Sequence, residues 1–375
     1  MAATKRGSKT YPAPSGSGGP ATPARRGRKR DVYGGVDTHK DTHHAAVVDR
    51  NGGVLGDAQF PAGGGGYQQL LDWLRGFGRV VKVGVEGTGS YGAGLDRHLH
   101  AAGVTVVEVN RPDRQARRRR GKSDPVDAVG AARAALSGEA AATPKTGIGP
   151  VEAVRVLRTA RDGAVKARTA AINQLKALIV TAPDQLRELL RELSPAALLR
   201  ACTGFEVDEA QLRDPVEATK AALHAIATRI TALKAEIAQA DKRLKALITA
   251  VAPRLSAVFG IGPDTAGRLL TTAGDNPDRL GSDAALAHLC GAAPIEASSG
   301  KITRHRLNRG GDRQANKALY TIVLTRLGYH EATQAYLHRR TQQGRTKKEI
   351  IRCLKRYVAR EVYHALTADL DALTP

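Results

Sequence analysis

The sequence predicts a mixed α/β domain followed by a long, mostly helical region. Short β-branched runs alternate with helical segments between residues 32 and 136, whereas no convincing strand is predicted beyond about residue 150. Alternating strands and helices are typical of an α/β sheet, and apolar spacings of three and four residues are typical of helices. A chain of 375 residues is long enough for two or three such domains.

Residues 1–31 are predicted to be a disordered basic arm. The first 30 residues contain eight Lys or Arg, no acid, and many Pro, Gly and Ser. Because this composition cannot bury an apolar core, we expect order to begin at Val32.

The predicted first domain, residues 32–148, contains five strands and three helices. Strands are expected at 32–37, 44–48, 54–60, 80–86 and 104–109, and helices at about 67–77, 92–102 and 125–136. The run at 80–86 is the most continuous apolar segment, which favours a buried parallel strand. Three strands in a meander, followed by alternating helix and strand, predict a mixed sheet of the ribonuclease H type.

Residues 149–251 are predicted to form a helical coiled-coil region. Apolar side chains there alternate steps of three and four residues over more than three heptads, at Leu223, Ile226, Ile230, Leu233, Ile237, Ala240, Leu244 and Leu247. Residues 154–180 are the expected antiparallel partner, although two helices of an ordinary bundle fit the pattern about equally well. Residues 252–375 are predicted to be a C-terminal helical domain with a Gly-rich loop at 291–311.

The charge balance points to a polyanionic partner. Lys and Arg number 58 against 36 Asp and Glu, which gives a formal net charge of +22. Such an excess favours binding to nucleic acid or to an anionic membrane surface. No apolar run approaches the ~18 residues of a membrane span, and the three Cys lie too far apart for a disulfide framework or a zinc site. We therefore expect a soluble, cytoplasmic, basic protein without a membrane partner.

Four acids of the first domain occupy places that favour a metal site. Asp37 ends the first predicted strand, Glu86 ends the most buried one, and Asp124 and Asp127 begin a helix. Strand ends of such a sheet meet at one edge, and converging carboxylates suit Mg²⁺. Two Mg²⁺ ions could activate a nucleophile and stabilise the leaving oxygen in phosphodiester chemistry. Alternatively, Asp124 is an N-cap and Asp127 a first-turn acid.

A competing motif overlaps the same region. Residues 87–92 fit G-x-G-x-x-G between a strand and a helix, and Glu108 stands where a ribose-binding acid would stand in a dinucleotide-binding fold. Against this interpretation, no second mononucleotide-binding half follows. A dense cationic cluster also follows Glu108, and we predict that it binds nucleic acid through Arg114, Arg117, Arg118, Arg119, Arg120 and Lys122.

The third region carries a candidate nucleophile among cations. Gly260 and Gly262 precede a predicted helix and resemble the hairpin of a helix-hairpin-helix module, which contacts phosphate through backbone amides. The doublet Ser298-Ser299 precedes Gly300, which by itself indicates a turn. A serine hydroxyl beside cations could attack a phosphate. The predicted nucleic-acid-binding cations that follow are Lys301, Arg304, Arg306, Arg309, Arg313 and Lys317, with His305 as a further candidate.

These motifs together resemble the DEDD transposases of the bacterial insertion sequence 110 family. The resemblance rests on 35–37, 86–91, 109–112 and 122–128, and on 260–263, 291–294, 299–300 and 308–311 in the C-terminal half. It implies a RuvC-like ribonuclease H domain, a coiled coil and a C-terminal transposase domain. It also implies that Asp37, Glu86, Asp124 and Asp127 bind Mg²⁺ and that Ser299, or its neighbour Ser298, is the nucleophile.

The resemblance further implies homo-oligomers, in which domains of different subunits complete a site, and a structured guide RNA that selects DNA. On this basis the sequence predicts a DNA transposase or site-specific recombinase, nucleoid-associated in a bacterial cytoplasm. One alternative is a RuvC-like structure-specific endonuclease, in which water attacks the phosphodiester. Another is an architectural nucleic-acid-binding protein without catalytic activity.

Overall fold

The computed structural model describes residues 30–109 and 123–373. Nearly all of the predicted basic arm, residues 1–29, lies outside the described residues. The predicted cationic cluster also lies outside them, namely Arg114, Arg117, Arg118, Arg119, Arg120 and Lys122.

A five-stranded mixed sheet forms the centre of the first domain, as predicted. The strands are β1 (Asp31–Thr38), β2 (Thr42–Asp49), β3 (Val54–Pro61), β4 (Arg79–Glu86) and β5 (Val106–Val109). Their order in the sheet is β3-β2-β1-β4-β5. β1 pairs antiparallel with β2 and parallel with β4, and β4 pairs parallel with β5. The meander and the crossover strands therefore lie where the sequence pattern predicts them.

Helices cover both faces of this sheet. α1 (Gly64–Phe77) and α2 (Ala93–Ala101) pack on one face, where Leu70, Leu74 and Leu95 join a core with Val36 and Val85. α3 (Asp124–Ser137) packs on the other face and buries mainly alanines. Gly34 and Gly35 point to opposite faces, since a Cβ at Gly34 would meet Leu74 and one at Gly35 would meet Ala132.

α3 lies unusually close to the sheet because two strand glycines face it. A Cβ added at Gly35 would be 2.0 Å from the Ala132 nitrogen and 2.2 Å from the Ala128 oxygen. A Cβ added at Gly84 would be 2.4 Å from the Ala131 oxygen. The helix backbone therefore rests directly on β1 and β4, which sets the height of its first turn above the end of β1.

Two long helices dominate the middle of the chain. α4 (Pro150–Val180) runs antiparallel to α7 (Pro215–Val251), because Arg161 bonds to Asp241 and Arg229 bonds to Gln174. In α7 the buried positions recur every seven residues at Leu223, Ile230, Ile237, Leu244 and Val251. α5 (Asp184–Leu190) and α6 (Pro195–Thr203) connect the pair and pack over its far end.

The C-terminal region is helical with one short exception. Its helices are α8 (Pro253–Ala257), α9 (Pro263–Ala273), α10 (Asp283–Leu289), α11 (Arg313–Tyr329), α12 (Glu331–Gln342) and α13 (Lys347–Leu373). The expectation of no strand after about residue 150 is wrong here. β6 (Ile295–Glu296) pairs antiparallel with β7 (His305–Arg306). Such short strands in a polar segment give no periodic signal over enough residues to be recognised.

One apolar core unites the helix pair with the C-terminal helices. Val154 of α4 and Ile248 of α7 share this core with Leu269 of α9, Ile322 of α11 and Val362 of α13. No helix among residues 30–109 and 123–373 combines the length and apolar character needed to cross a membrane.

The glycines beneath α3 give a testable prediction. Gly35→Ala should lower the free energy of unfolding by about 3 kcal/mol or more, because the new methyl group meets helix backbone that cannot move alone. Gly130→Ala is the matched control, since Gly130 lies in α3 with nothing near its missing Cβ. That variant should gain up to about 1 kcal/mol from helix propensity. Denaturant unfolding of the full chain measures both, and equal stability of the two variants would contradict the packing argument.

A second prediction concerns His43, which is buried on β2 and stacks on Tyr67 with ring centroids 5.6 Å apart. Burial lowers the pKa of His43, and the nearby charge of His39 lowers it further. As pH falls below the unfolded-state pKa of about 6.5, only the unfolded chain takes up this proton, so stability decreases. His43→Phe should flatten the decrease seen in melting temperature, whereas the exposed control His338→Gln should retain it.

Candidate metal centre and nucleic-acid interface

β1 and β4 bring the first two predicted acids to the same sheet edge. The parallel register pairs Val36 with Val85, one residue before Asp37 and Glu86. The Thr38 hydroxyl donates to the Glu86 carbonyl oxygen at 2.8 Å and so ties the two strand ends together. Asp37 is only 8% exposed, whereas Glu86 is half-buried.

α3 adds the other two acids to this edge. Ser123 is the N-cap residue of α3, so Asp124 is the first helical residue rather than the N-cap. Asp127 is 3% exposed one turn further along, and its amide donates to the Ser123 carbonyl oxygen. The charges of both Asp124 and Asp127 act on the Asp37 carboxyl, which places all three carboxylates in one electrostatic cluster.

A histidine that sequence analysis did not select joins this cluster. His39 Nε2 lies 3.2 Å from Asp37 Oδ2 and 3.4 Å from Asp124 Oδ1. One donor atom from each of these three residues lies within 4.8 Å of the others. The signal in the sequence is a histidine two residues after a strand-end aspartate. That spacing is too common to indicate a metal ligand by itself. His39 becomes a candidate ligand only because the fold brings Asp124 close to it.

The electrostatics of the cluster favour a cation. Burial raises the pKa of Asp37, His39 opposes this shift, and the carboxylates of Asp127 and Asp124 raise the pKa further. Ionised Asp37 is therefore poorly solvated and repelled by its neighbours, a situation that a divalent ion relieves. Carboxylate oxygens with one imidazole nitrogen form a donor set that fits a hard or borderline divalent cation.

The loop after β4 does not favour dinucleotide binding. The amides of Ser90 and Gly92 both donate to the Gly87 carbonyl oxygen, so they are already engaged within the loop. The antiparallel β1–β2 pair also departs from the parallel sheet on which dinucleotide-binding sites are built. Glu108 is joined through its amide to the Ala142 carbonyl oxygen, and its charge acts on Lys145 and Arg279.

The candidate serines lie on an exposed β-hairpin. Ser299 and Ile302 exchange both backbone hydrogen bonds at 3.1 Å, which makes Gly300-Lys301 a two-residue turn. Gly300 has φ of +57°, a conformation that favours glycine in such turns. The strands β6 and β7 close the base of the hairpin. The sequence pattern indicated a turn here, and the structure places Ser299 at its tip.

The two serines differ in what their hydroxyl groups contact. Ser298 Oγ accepts from the Arg304 amide at 3.2 Å and lies 3.4 Å from the Arg304 carbonyl oxygen. Ser299 is exposed, and within the described residues its hydroxyl makes no such hydrogen bond. The side chain of Ser298 is therefore part of the hairpin, whereas that of Ser299 is available to a ligand.

The predicted cations lie on this hairpin or follow it in the chain. The acid among them, Asp312, is engaged as the N-cap of α11, where it accepts from the amides of Gln314 and Ala315. The side chains that sequence analysis selected are all exposed: Lys301, Arg304 and Arg306 on the hairpin, Arg309 just after it, and Arg313 and Lys317 in the first two turns of α11. His305 lies on β7 and is also exposed.

A cleft of about 950 Å³ opens beside the hairpin. Lys355 lies in its lining and donates to Asn316 Oδ1 at 3.0 Å, and burial lowers the pKa of Lys355. The acid in the lining, Glu349, is engaged by the amide and hydroxyl of Thr346. The lining cations are Arg306, Arg309, Arg340, Arg345, Arg352, Lys355 and Arg356. The cleft therefore combines strong positive charge with the exposed ring of Tyr357.

The glycines before α9 occupy a tight loop. Gly260 has φ of +85° and packs against Ile322 and Arg326 of α11. The amides of Ile261 and Gly262 donate to the Val258 carbonyl oxygen and to Thr265 Oγ1. A phosphate could bind the amides of Ile261 and Gly262 only by replacing these two hydrogen bonds. The predicted phosphate contact of Gly262 is therefore less favoured than that of Gly260.

The acidic edge and the hairpin are two surfaces that no direct polar contact joins in the described part of the chain. Across the described ranges, no hydrogen bond or ion pair joins residues 295–306 to Asp37, His39 or Asp124. The segment that joins α3 to the start of α4 is bonded to the C-terminal region. Lys145 Nζ donates to the Thr271 carbonyl oxygen at 2.6 Å, and the Val151 amide donates to Asp275 Oδ1 at 2.8 Å.

Comparisons with known proteins connect both surfaces to one family. Residues 34–182 match the family model DEDD_Tnp_IS110, described as "Transposase". Residues 252–338 match the model described as "Transposase IS116/IS110/IS902 family". A stretch of 134 residues is 30% identical to the Streptomyces coelicolor protein described as "Insertion element IS110 uncharacterized 43.6 kDa protein". That alignment covers 35% of this chain and 33% of the relative.

The unfavourable environment of the ionised Asp37 carboxylate gives a third prediction. Without divalent ions at pH 7, Asp37→Asn should melt at a higher temperature than the unmodified chain, because it removes a buried, repelled carboxylate. Adding Mg²⁺ should raise the melting temperature of the unmodified chain but not that of the variant. The control Asp57→Asn changes an exposed acid paired with His44 and should respond to Mg²⁺ normally. An equal Mg²⁺ response in all three proteins would contradict the metal centre.

Proposed function

Because this chain belongs to the IS110 family of transposases, we propose that it cleaves and rejoins DNA as a transposase or site-specific recombinase. The observation that carries this proposal is the convergence of Asp37, Asp124 and Asp127 at one edge of the sheet. Three segments that are distant in the sequence supply these acids and Glu86. Both family models contribute a surface, since 34–182 contains the acids and 252–338 contains the hairpin.

The acidic edge is proposed to hold Mg²⁺, with two ions in the active state. Asp37, Glu86, Asp124 and Asp127 would be the ligands, in a domain that we interpret as RuvC-like. When bound, the ions would polarise the scissile phosphate and stabilise a departing oxygen. The half-exposed Asp124 and Glu86 leave this edge open to a phosphodiester from solvent.

Ser299 is the proposed nucleophile. Its hydroxyl oxygen would form a bond to phosphorus while the bond to one deoxyribose oxygen breaks, and the departing oxygen would leave as a hydroxyl group. A hydroxyl from a second strand would then attack the phosphoserine and restore the free serine. This route conserves the energy of the phosphodiester bond. The engagement of Ser298 with the Arg304 backbone supports Ser299 as the attacking residue.

The cations beside the hairpin are proposed to hold the nucleic acid. Arg304 and Arg306 lie on the returning strand of the hairpin that carries Ser299. Arg309, Arg313 and Lys317 extend the positive surface along the start of α11. The cationic cleft is too small for a duplex about 20 Å wide but has the chemistry of a strand-binding groove, with phosphate-binding cations and an aromatic ring. DNA and a structured guide RNA are the proposed partners.

We also propose that the active form is a homo-oligomer. No hydrogen bond or ion pair joins the acidic edge to the Ser299 hairpin within the described residues, so a second subunit could bring the two to one phosphate. The seven-residue recurrence of buried side chains in α7 supports a coiled-coil interpretation of the α4–α7 pair.

A structure-specific endonuclease is the second candidate. With metal ions bound, the acidic edge would be sufficient for water to attack a phosphodiester, and Ser299 is not among the residues that would hold the ions. In this case the hairpin would only bind nucleic acid. The two functions differ in whether a protein–DNA bond forms.

Covalent trapping separates the candidates. Full-length protein with its co-purifying RNA is mixed with labelled element-junction DNA and Mg²⁺, denatured, and resolved on a gel. We expect a protein-linked DNA band that disappears in Ser299→Ala and persists in the matched control Ser298→Ala.

Cleavage without a linked band, still dependent on Asp37, would instead establish the endonuclease. A linked band that is lost only in Ser298→Ala would transfer the role to that residue. If the protein bound DNA without cleaving it, and Asp37→Ala bound DNA equally well, an architectural binding protein would be favoured.

A further inference from the structure

His39 is not one of the four predicted acids, but its imidazole lies next to the carboxylates of Asp37 and Asp124. We propose that His39 is a direct ligand of the ion held by Asp37 and Asp124, and that its nitrogen makes the centre prefer Mn²⁺ over Mg²⁺. This inference rests on the proposed metal-dependent function, and it names a ligand and a metal preference that the acidic tetrad alone does not contain.

The distances around His39 match those between neighbouring ligands of one ion. An octahedral ion with donors at about 2.1 Å holds adjacent donors about 3 Å apart. His39 Nε2 lies 3.2 Å from Asp37 Oδ2 and 3.4 Å from Asp124 Oδ1. The three donor atoms lie within 4.8 Å of one another, so small side-chain movements would admit an ion between them.

The backbone on both sides of His39 is fixed. The His39 amide donates to the Thr42 carbonyl oxygen at 3.1 Å across the β1–β2 turn. The preceding residue, Thr38, is tied through its hydroxyl to Glu86. The imidazole is thus presented beside Asp37 by the turn itself, while its 46% exposure leaves a path for ions from solvent.

The nitrogen donor determines the metal preference. Mg²⁺ prefers oxygen ligands, whereas an imidazole nitrogen binds first-row transition ions more strongly. A centre of carboxylates alone has a weaker bias, because carboxylates suit both ions, so the preference for Mn²⁺ should shrink when the imidazole is removed. The opposing possibility is that His39 is an imidazolium that occupies the place of the ion. In that case its removal would strengthen metal binding.

Mn²⁺ itself is the probe. Nucleic-acid-free full-length protein is titrated with Mn²⁺ and with Mg²⁺ by calorimetry, and the Mn²⁺-bound protein is examined by pulsed electron paramagnetic resonance. We expect a nitrogen coupling to Mn²⁺ in the unmodified chain. In His39→Ala this coupling should vanish and Mn²⁺ should bind about tenfold more weakly or worse, with a smaller loss for Mg²⁺.

His44→Ala is the matched control, since His44 Nε2 also pairs with a carboxylate, Asp57 Oδ2 at 2.8 Å, on the same sheet. It should retain the coupling and both affinities. Absence of a nitrogen coupling in the unmodified chain, or equal or tighter Mn²⁺ binding in His39→Ala, would overturn the role of His39. Failure of every protein to bind either ion would instead overturn the proposed metal centre. The coupling in the unmodified chain decides the matter even if a variant fails to fold.

Discussion

The close contact of α3 with the sheet is the constraint on which the proposed metal centre depends. Gly35 and Gly84 leave no side chain between strand and helix, so the backbone of α3 rests on β1 and β4. That contact brings Asp124 and Asp127 to Asp37, so that carboxylates from two segments distant in the sequence form one electrostatic cluster. The small side chains along α3 serve the same end, because larger ones would lift the helix from the sheet.

Much of this arrangement could be predicted from the sequence, because it depends on local pattern. All five strands of the first domain, the acids at the ends of β1 and β4, and the helix that carries Asp124 and Asp127 follow from apolar runs and capping chemistry. The N-cap of that helix is Ser123 and not Asp124, as the sequence had suggested. The role of His39 could not be predicted, since it depends on contact with Asp124 far away in the chain. The hairpin strands were missed because each has only two residues, and the difference between Ser298 and Ser299 depends on one hydrogen bond to Arg304.

The hairpin surface and the acidic edge are formed by different interactions. The acidic edge is assembled by packing against a sheet, whereas the hairpin projects its serine on an exposed turn among cations. The segment between them is fixed to the C-terminal region through Lys145 and Val151. A single chain therefore presents an acidic sheet edge and a cationic hairpin that no hydrogen bond or ion pair joins within the described residues. This division is compatible with a reaction in which DNA bridges different subunits.

The most direct test of this account is the position of metal in the folded protein. Crystals of the full chain soaked in Mn²⁺ would be measured by anomalous diffraction, which locates the ion without reference to activity. We expect a peak between Asp37, His39 and Asp124, within coordination distance of all three. A peak elsewhere, or none at a Mn²⁺ concentration that saturates binding in solution, would contradict the claim that the α3 contact assembles a metal centre.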